Sequence, residues 1–390
     1  MMAAHVQRGT LLLALLLTLA ASVYLIRGVS VAVGEHGSWD LYIRALEYRL
    51  FAERVYPHDA LASNALPGEQ LPNTVYPPYA FPMFTPIFVT GSPYLAGLTF
   101  GALTLLALIA IGRFGRRELS FADWRVQVIG AVAGLAIAHN SSVIAMGQFS
   151  IISMGLVVLQ FDCLRRGKVM TAGLCWAFAM IKPQIAIAFL LPFLLERRWR
   201  GLVFGLVVLA TLSVFACLHT RVSLFAVIEH WVLHNDLRFI AGGKNGGSSS
   251  SGIFVSSGVD PRLALLLSGL AAASIGAAAW NRARRGGMSL VTLAAVCAIV
   301  GRVFLPHRTY DNIMLFPALI AFLAFALDRP SPARCAWAGL FGISLWLPWT
   351  SLIRTLWLDL ALLLFWSTAL IVLMREAPSR GHHPTPSRAT

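Results

Sequence analysis

The stretch LLLALLLTLAASVYLI, residues 11–26, decides the class of fold. Sixteen residues pass without a charge before Arg27 ends the run. Such a run is either a removable leader or a membrane span. No small-residue cleavage site precedes the Arg27-Gly28 junction and further apolar runs follow, so it reads as an uncleaved first span. Composition points the same way. Of 390 residues, 57% are hydrophobic and 12% are charged, where a soluble domain carries about a quarter charged. That much apolar surface must face lipid or pack between lipid-embedded helices.

Working outward, apolar runs recur at 94–112, 126–139, 149–163, 169–181, 184–195, 201–218, 263–280, 289–305, 312–327, 335–352 and 356–374. With the first run, 10–32, they predict an all-α polytopic bundle of about 10–12 transmembrane helices, several shorter than the roughly 20 residues of a straight span. The two runs flanking Lys182-Pro183-Gln184 are the shortest and read as one broken hairpin. The net charge of +14 does not indicate nucleic acid, because the bases, 28 Arg and 3 Lys, form short clusters between apolar runs. If the N-terminus is cytoplasmic, 19 of the 31 bases fall in inner loops, including Arg113, Arg116, Arg117, Arg165, Arg166, Arg197, Arg198 and Arg200. The positive-inside rule then predicts both termini inside and two long outer loops, 33–93 and 219–262. The chain reads as one domain, 1–376, followed by a disordered cytoplasmic tail, 377–390. Five cysteines without ligand or disulfide spacing read as apolar fillers.

The polar groups that carry chemistry fall on the predicted outer face. In GSWDLYIRALEYRLFAERVYP, residues 37–57, the apolar positions Trp39, Leu41, Tyr42, Ile43, Leu46 and Leu50 with Phe51 recur at helical spacing. Arg44, Glu47, Arg49, Glu53 and Arg54 mostly take the other side, which predicts a helix lying on the membrane surface. Asp40, at its start, is either a helix-terminal acid or a carboxylate placed to take a proton from a hydroxyl. Asn73 to Tyr79 contains Tyr76-Pro77-Pro78, a rigid turn whose rings suit a sugar or lipid pocket. It leads into AFPMFTPIFVT, residues 80–90, which is too short to span and reads as a re-entrant or interfacial piece. His139-Asn140-Ser141-Ser142 and Gly147-Gln148 make a short turn. Lys182 lies between apolar stretches, where a cation needs an anionic partner near the interface. GGKNGGSSSSG, residues 242–252, reads as a mobile loop and not a Walker loop. Leu305 to Asn312 packs His307, Arg308 and Asp311 together, with His307 or Arg308 suited to a phosphate. Arg302 and Asp359, each near the outer end of a span, read as a structural pair.

The order of four landmarks resembles the polyprenyl-phosphate-mannose-dependent glycosyltransferases of family 87, within the GT-C class. The landmarks are Asp40-x-Tyr42 after the first span, Tyr76-Pro77-Pro78, Gly147-Gln148 opening a span, and Ile181-Lys182-Pro183 followed by a run ending in Arg197-Arg198-Trp199-Arg200. The resemblance covers roughly residues 35–330. It implies a GT-C-like fold and an inverting transfer of a sugar, mannose being the family expectation, from a polyprenyl phosphate to a lipid or glycan acceptor on the outer face of the cell membrane. It implies a carboxylate base at Asp40 and a contributing histidine at His307. Lys182, Arg308, Tyr42, Tyr76, Gln148 and Asn140 are the expected donor-binding residues. Phosphate is already a good leaving group, so its growing charge needs cations, and the reading calls for no cofactor and no metal. The alternative is a transporter or lipid flippase, which would need polar groups near mid-span facing a cavity.

Overall fold

The computed structural model describes residues 2–34, 38–57, 76–233, 248–286, 288–353 and 355–376. Every regular element among them is a helix. The chain runs through α1 (Met2–Ala32), α2 (Trp39–Ala52), α3 (Ala80–Phe88), α4 (Pro93–Glu118), α5 (Trp124–Ala133), α6 (Asn140–Met146), α7 (Ser150–Arg165) and α8 (Val169–Ala179). Next come α9 (Pro183–Leu195), α10 (Trp199–Thr220), α11 (Leu224–Leu233), α12 (Ser250–Ser256) and α13 (Pro261–Gly286). The last are α14 (Leu290–Phe304), α15 (Thr309–Asp328), α16 (Pro332–Trp346), α17 (Trp349–Leu352) and α18 (Leu356–Glu376). Helix starts carry the expected chemistry. Ser92 accepts a hydrogen bond from the Leu95 amide with Pro93 at the first position, and Asp123 caps α5 through the amides of Arg125 and Val126.

All twelve apolar runs lie on helices, but they do not all cross a membrane unaided. Six helices among the described residues are long and apolar enough: Gly9–Ala32, α4, α10, Pro261–Arg282, α15 and Leu356–Arg375. The chain is a polytopic membrane protein. If the bent α6–α7 pair is one span, the candidate spans are seven, and the other apolar runs form shorter helices. The 126–139 run forms only the ten-residue α5 before breaking. Lys182-Pro183 divides α8 from α9, and α9 tightens to a 3-10 turn at Ile187–Leu190. The short helix α14 is buried at every residue from Thr292 to Val303, which marks it as an inner helix covered by others. With α15, buried from Asp311 to Phe322, it forms the central hairpin, and the Leu305–Arg308 loop is its tip.

The corner between α6 and α7 turns by 118°. Gly147 makes the corner with φ +71°, and a Cβ added there would sit 2.6 Å from Leu41 Cβ. Glycine therefore meets both the left-handed backbone and the close approach of α2. The piece read as re-entrant is the nine-residue α3, with Pro86 inside it, and it buries Phe81, Met83, Phe84, Ile87 and Phe88.

Two sequence expectations change. On α2, Arg44 and Glu47 are buried, at 6% and 1% exposure, while Trp39 and Tyr42 are 54% and 45% exposed. Arg44 and Glu47, three positions apart, turn inward together with Leu41, Ile43, Leu50 and Phe51 of the expected apolar stripe. Burial is tolerated because Arg44 Nη1 reaches both Glu47 oxygens at 2.6 Å and its guanidinium lies 4.5 Å from the Tyr76 ring centre. The Gly/Ser-rich stretch is also different from a mobile loop in its described half. Ser248, Ser249 and Ser251 are buried, and Ser249 caps α12. Its glycine-rich half, 242–247, lies outside the described residues, as do Asn73–Val75 and the tail 377–390.

Candidate active site

Four helices begin around one point: α2, α7, α9 and α15, with Asp40, Ser150, Lys182 and Asp311 at or beside their first turns. Helix starts present unpaired amides and a positive dipole end, which favours carboxylates. Lys182 is 1% exposed and its ammonium has three donors. They reach Gln148 Oε1 at 3.0 Å, Ser150 Oγ at 2.6 Å and Asp311 Oδ1 at 2.7 Å. The Tyr310 ring centre lies 4.8 Å from the same nitrogen. The anion that Lys182 requires near the interface is therefore a carboxylate of this chain, 129 positions away.

Asp311 is saturated. Its Oδ1 also accepts from the Ser150 hydroxyl at 2.8 Å. Its Oδ2 accepts from the Arg308 backbone amide at 3.3 Å and faces His307 Nδ1 at 3.1 Å. A carboxylate only accepts, so the His307 proton sits on Nδ1 and leaves a lone pair on Nε2. Burial pushes the His307 imidazole below its ordinary value, and the Asp311 hydrogen bond opposes that shift. Nε2 is buried without a hydrogen-bond partner among the described residues.

Asp40 is half-buried in the first turn of α2. Its Oδ2 accepts from Gln148 Nε2, and among the described residues no Lys, Arg or His forms an ion pair with it. Tyr76 is buried beside this carboxylate. Burial pushes its phenol well above the ordinary value. The Arg44 charge opposes that shift, and the carboxylates of Asp40, Glu47 and Asp311 add to it. A continuous chain of contacts thus runs Asp40, Gln148, Lys182, Asp311, His307.

The other expected residues divide. The Arg308 side chain is half-buried next to His307. Tyr42 lies two positions from Asp40, a spacing that turns side chains to different sides of a helix, and its ring packs 5.9 Å from that of Trp39. Asn140 does not join the cluster. Its Nδ2 donates to the carbonyls of Gly134 and Leu135 at 2.9 and 3.2 Å, holding the entry to α6. The expected Arg302–Asp359 pair does not form within ion-pair distance. Arg302 instead donates to Asn312 Oδ1 at 2.8 Å and to the Ser248 carbonyl at 2.6 Å, 5.0 Å from the Trp366 ring centre. Ser150, Tyr310 and the anchoring role of Asp311 were not foreseen. The i, i+4 spacing of His307 and Asp311 is the one available sequence signal.

At the far end of α7, about 24 Å from Ser150 by helix rise, the basic segments gather. Glu118 there holds Arg117 and Arg165, and Asp162 holds Arg117 and Arg166. Site and arginine cluster thus occupy opposite ends of this helix.

A family model described as glycosyltransferase family 87 matches residues 74–306, a span containing Tyr76, Gln148 and Lys182. No curated protein and no solved structure matches the chain. With more than half of the sequence covered by the family model, on an all-helical polytopic fold, the chain belongs to glycosyltransferase family 87 and is a membrane glycosyltransferase.

Proposed function

We propose that this enzyme moves a sugar, mannose, from a polyprenyl-phosphate donor to a hydroxyl of a lipid or glycan acceptor, with inversion and with Asp40 as general base. The observation that carries this reading is the contrast between the two carboxylates of the site. Asp311 has every lone-pair direction engaged, whereas among the described residues Asp40 receives one neutral amide hydrogen bond, and it is half-buried. In a single displacement the acceptor oxygen bonds to the anomeric carbon as the carbon–phosphate oxygen bond breaks. Asp40 takes the hydroxyl proton, and polyprenyl phosphate leaves with the bonding pair. Arg308 is the group we assign to the phosphate, since the Lys182 donors are engaged within the protein and the His307 N–H faces Asp311. The arginine cluster at the opposite end of α7 supports a site facing away from the cytoplasm, in the inner or plasma membrane, under the positive-inside rule.

The test uses purified protein in lipid discs with polyprenyl-phosphate mannose and lipid or glycan acceptors. Asp40→Asn is expected to lower kcat by about 10²–10⁴-fold with donor KM little changed. Full transfer by Asp40→Asn ends the proposal. Lipid translocation by wild-type vesicles without sugar transfer favours the flippase reading instead.

A further inference from the structure

We infer that Gln148 is the residue that aims the catalytic carboxylate, and that Lys182 and Asp311 form the fixed anchor that orients it. This rests on the reading of Asp40 as base. It changes the role of Lys182 and Gln148 from holding the donor to positioning the group that deprotonates the acceptor.

The geometry begins with the ammonium. Its three donors are all taken by Gln148, Ser150 and Asp311, so none remains for a donor phosphate. The pair is buried on both sides, Lys182 and Asp311 each at 1% exposure, and Asp311 is tied further by Ser150, His307 and the Arg308 amide. Such an anchor does not swing. Gln148 then has no choice of orientation. An amide presents an oxygen at one corner and an NH2 at the other, and Lys182 is a donor only, so Oε1 must face Lys182. The NH2 is thereby turned to Asp40 Oδ2. A neutral donor in that position holds the carboxylate in place without setting a positive charge against it.

The backbone supports the same alignment. The Ser38 amide donates to the Ala145 carbonyl at 2.7 Å, so the start of α2 is fixed to the end of α6. Gly147 packs on Leu41 and sets the direction of Gln148. Asp40 is thus held to the α6–α7 corner by main chain, packing and side chain together. The groups that face Asp40 from neighbouring elements are Gln148 on the corner and the Tyr76 phenol before α3. The Tyr310 phenol also lies within reach of the Asp40 charge, Lys182 lies one contact beyond Gln148 and Asp311 one beyond Lys182, and Arg44 and Glu47 are on its own helix.

The pH dependence of transfer in the purified enzyme provides the test. Gln148→Glu keeps an oxygen for Lys182 but sets a second carboxylate against Asp40. A like charge favours the protonated form, so the acid limb of kcat is expected to move up by about one pH unit or more. Activity lost at neutral pH should return at higher pH, with donor KM unchanged. Gln148→Met keeps the length and removes both amide contacts. It is expected to lower kcat about 10–100-fold, again at constant donor KM. A Gln148→Glu profile superposing on wild type, or a donor KM raised tenfold at constant kcat in either variant, overturns the inference. Asp40→Asn separates the two levels. If that variant is active, the base assignment fails; if it is inactive while Gln148→Glu is unshifted, only the positioning role fails.

Discussion

Lys182 shows how burial dictates the partner of a charge. A cation at 1% exposure cannot rely on solvent, and its three donors meet an amide, a hydroxyl and a carboxylate of the same chain. The sequence marked Lys182 as unusual and called for an anion, yet it did not indicate which one. The answer lies 129 positions away on a helix start. Removing one member of a buried pair leaves the other uncompensated, whereas replacing both with apolar groups is often neutral. Lys182→Met is therefore expected to destabilise the protein by about 3–5 kcal/mol, and Lys182→Met with Asp311→Asn, which removes the uncompensated charge and keeps an oxygen for the Ser150 hydroxyl, to recover part of that. Denaturant unfolding in detergent gives the comparison. Equal stability of the single and double variants would remove the ion pair from the account.

At the scale of elements, helix existence followed from apolar periodicity and helix role did not. The α2 segment was legible as a helix with two faces, but periodicity specifies faces only relative to each other. Which face turns inward depends on what waits there, in this case Tyr76 over Arg44. Close helix contacts were equally silent in the sequence. The eleven-residue α8 is too short to cross alone and packs on α10 through Gly173, Gly201 and Gly205. The Gly201-x-x-x-Gly205 spacing lets backbones approach without side chains between them. A Cβ on Gly201 would lie 2.5 Å from the Val169 carbonyl oxygen and 2.9 Å from the Phe193 ring. Gly201→Val should thus cost about 1–3 kcal/mol by overpacking, read as a lowered Tm with donor KM unchanged in the folded fraction. An unaltered Tm would mean the two helices separate more readily than their contact implies.

The whole molecule gathers its chemistry at one end of the central hairpin, and the cluster of Arg117, Arg165 and Arg166 lies about 24 Å away at the other end of α7. Near the site end lie two buried histidines that fold neutral. Burial holds His139 down to about 4, reinforced by the Arg302 charge, and His307 is shifted the same way. A group whose folded pKa is depressed contributes stability above its unfolded pKa, about 6.5 for imidazole, and loses that contribution as the pH falls. Stability is therefore expected to decline between about pH 6.5 and 4, with the unfolded chain taking up the protons. His139→Gln should flatten part of that decline while Asn312, which contacts the His139 ring at 3.4 Å, retains a partner. Thermal unfolding of both proteins across this range gives the difference. Parallel curves would show that His139 does not carry the acid sensitivity.

By itself, the sequence determined that this is a polytopic helical membrane protein, because apolar runs that cannot be hidden from water leave no other class. It also determined where the helices lie and that the chain resembles family 87, since those depend on neighbours along the chain. Only the tertiary structure decided that Gln148 stands between the Asp40 carboxylate and the Lys182 ammonium and that Lys182 serves Asp311. It likewise decided that Arg302 bonds to Asn312 and Ser248, with no ion pair to Asp359. Those partners sit tens to hundreds of positions apart. Each buried polar group takes whichever donor or acceptor the packing brings within about 3 Å, and no local pattern records that choice.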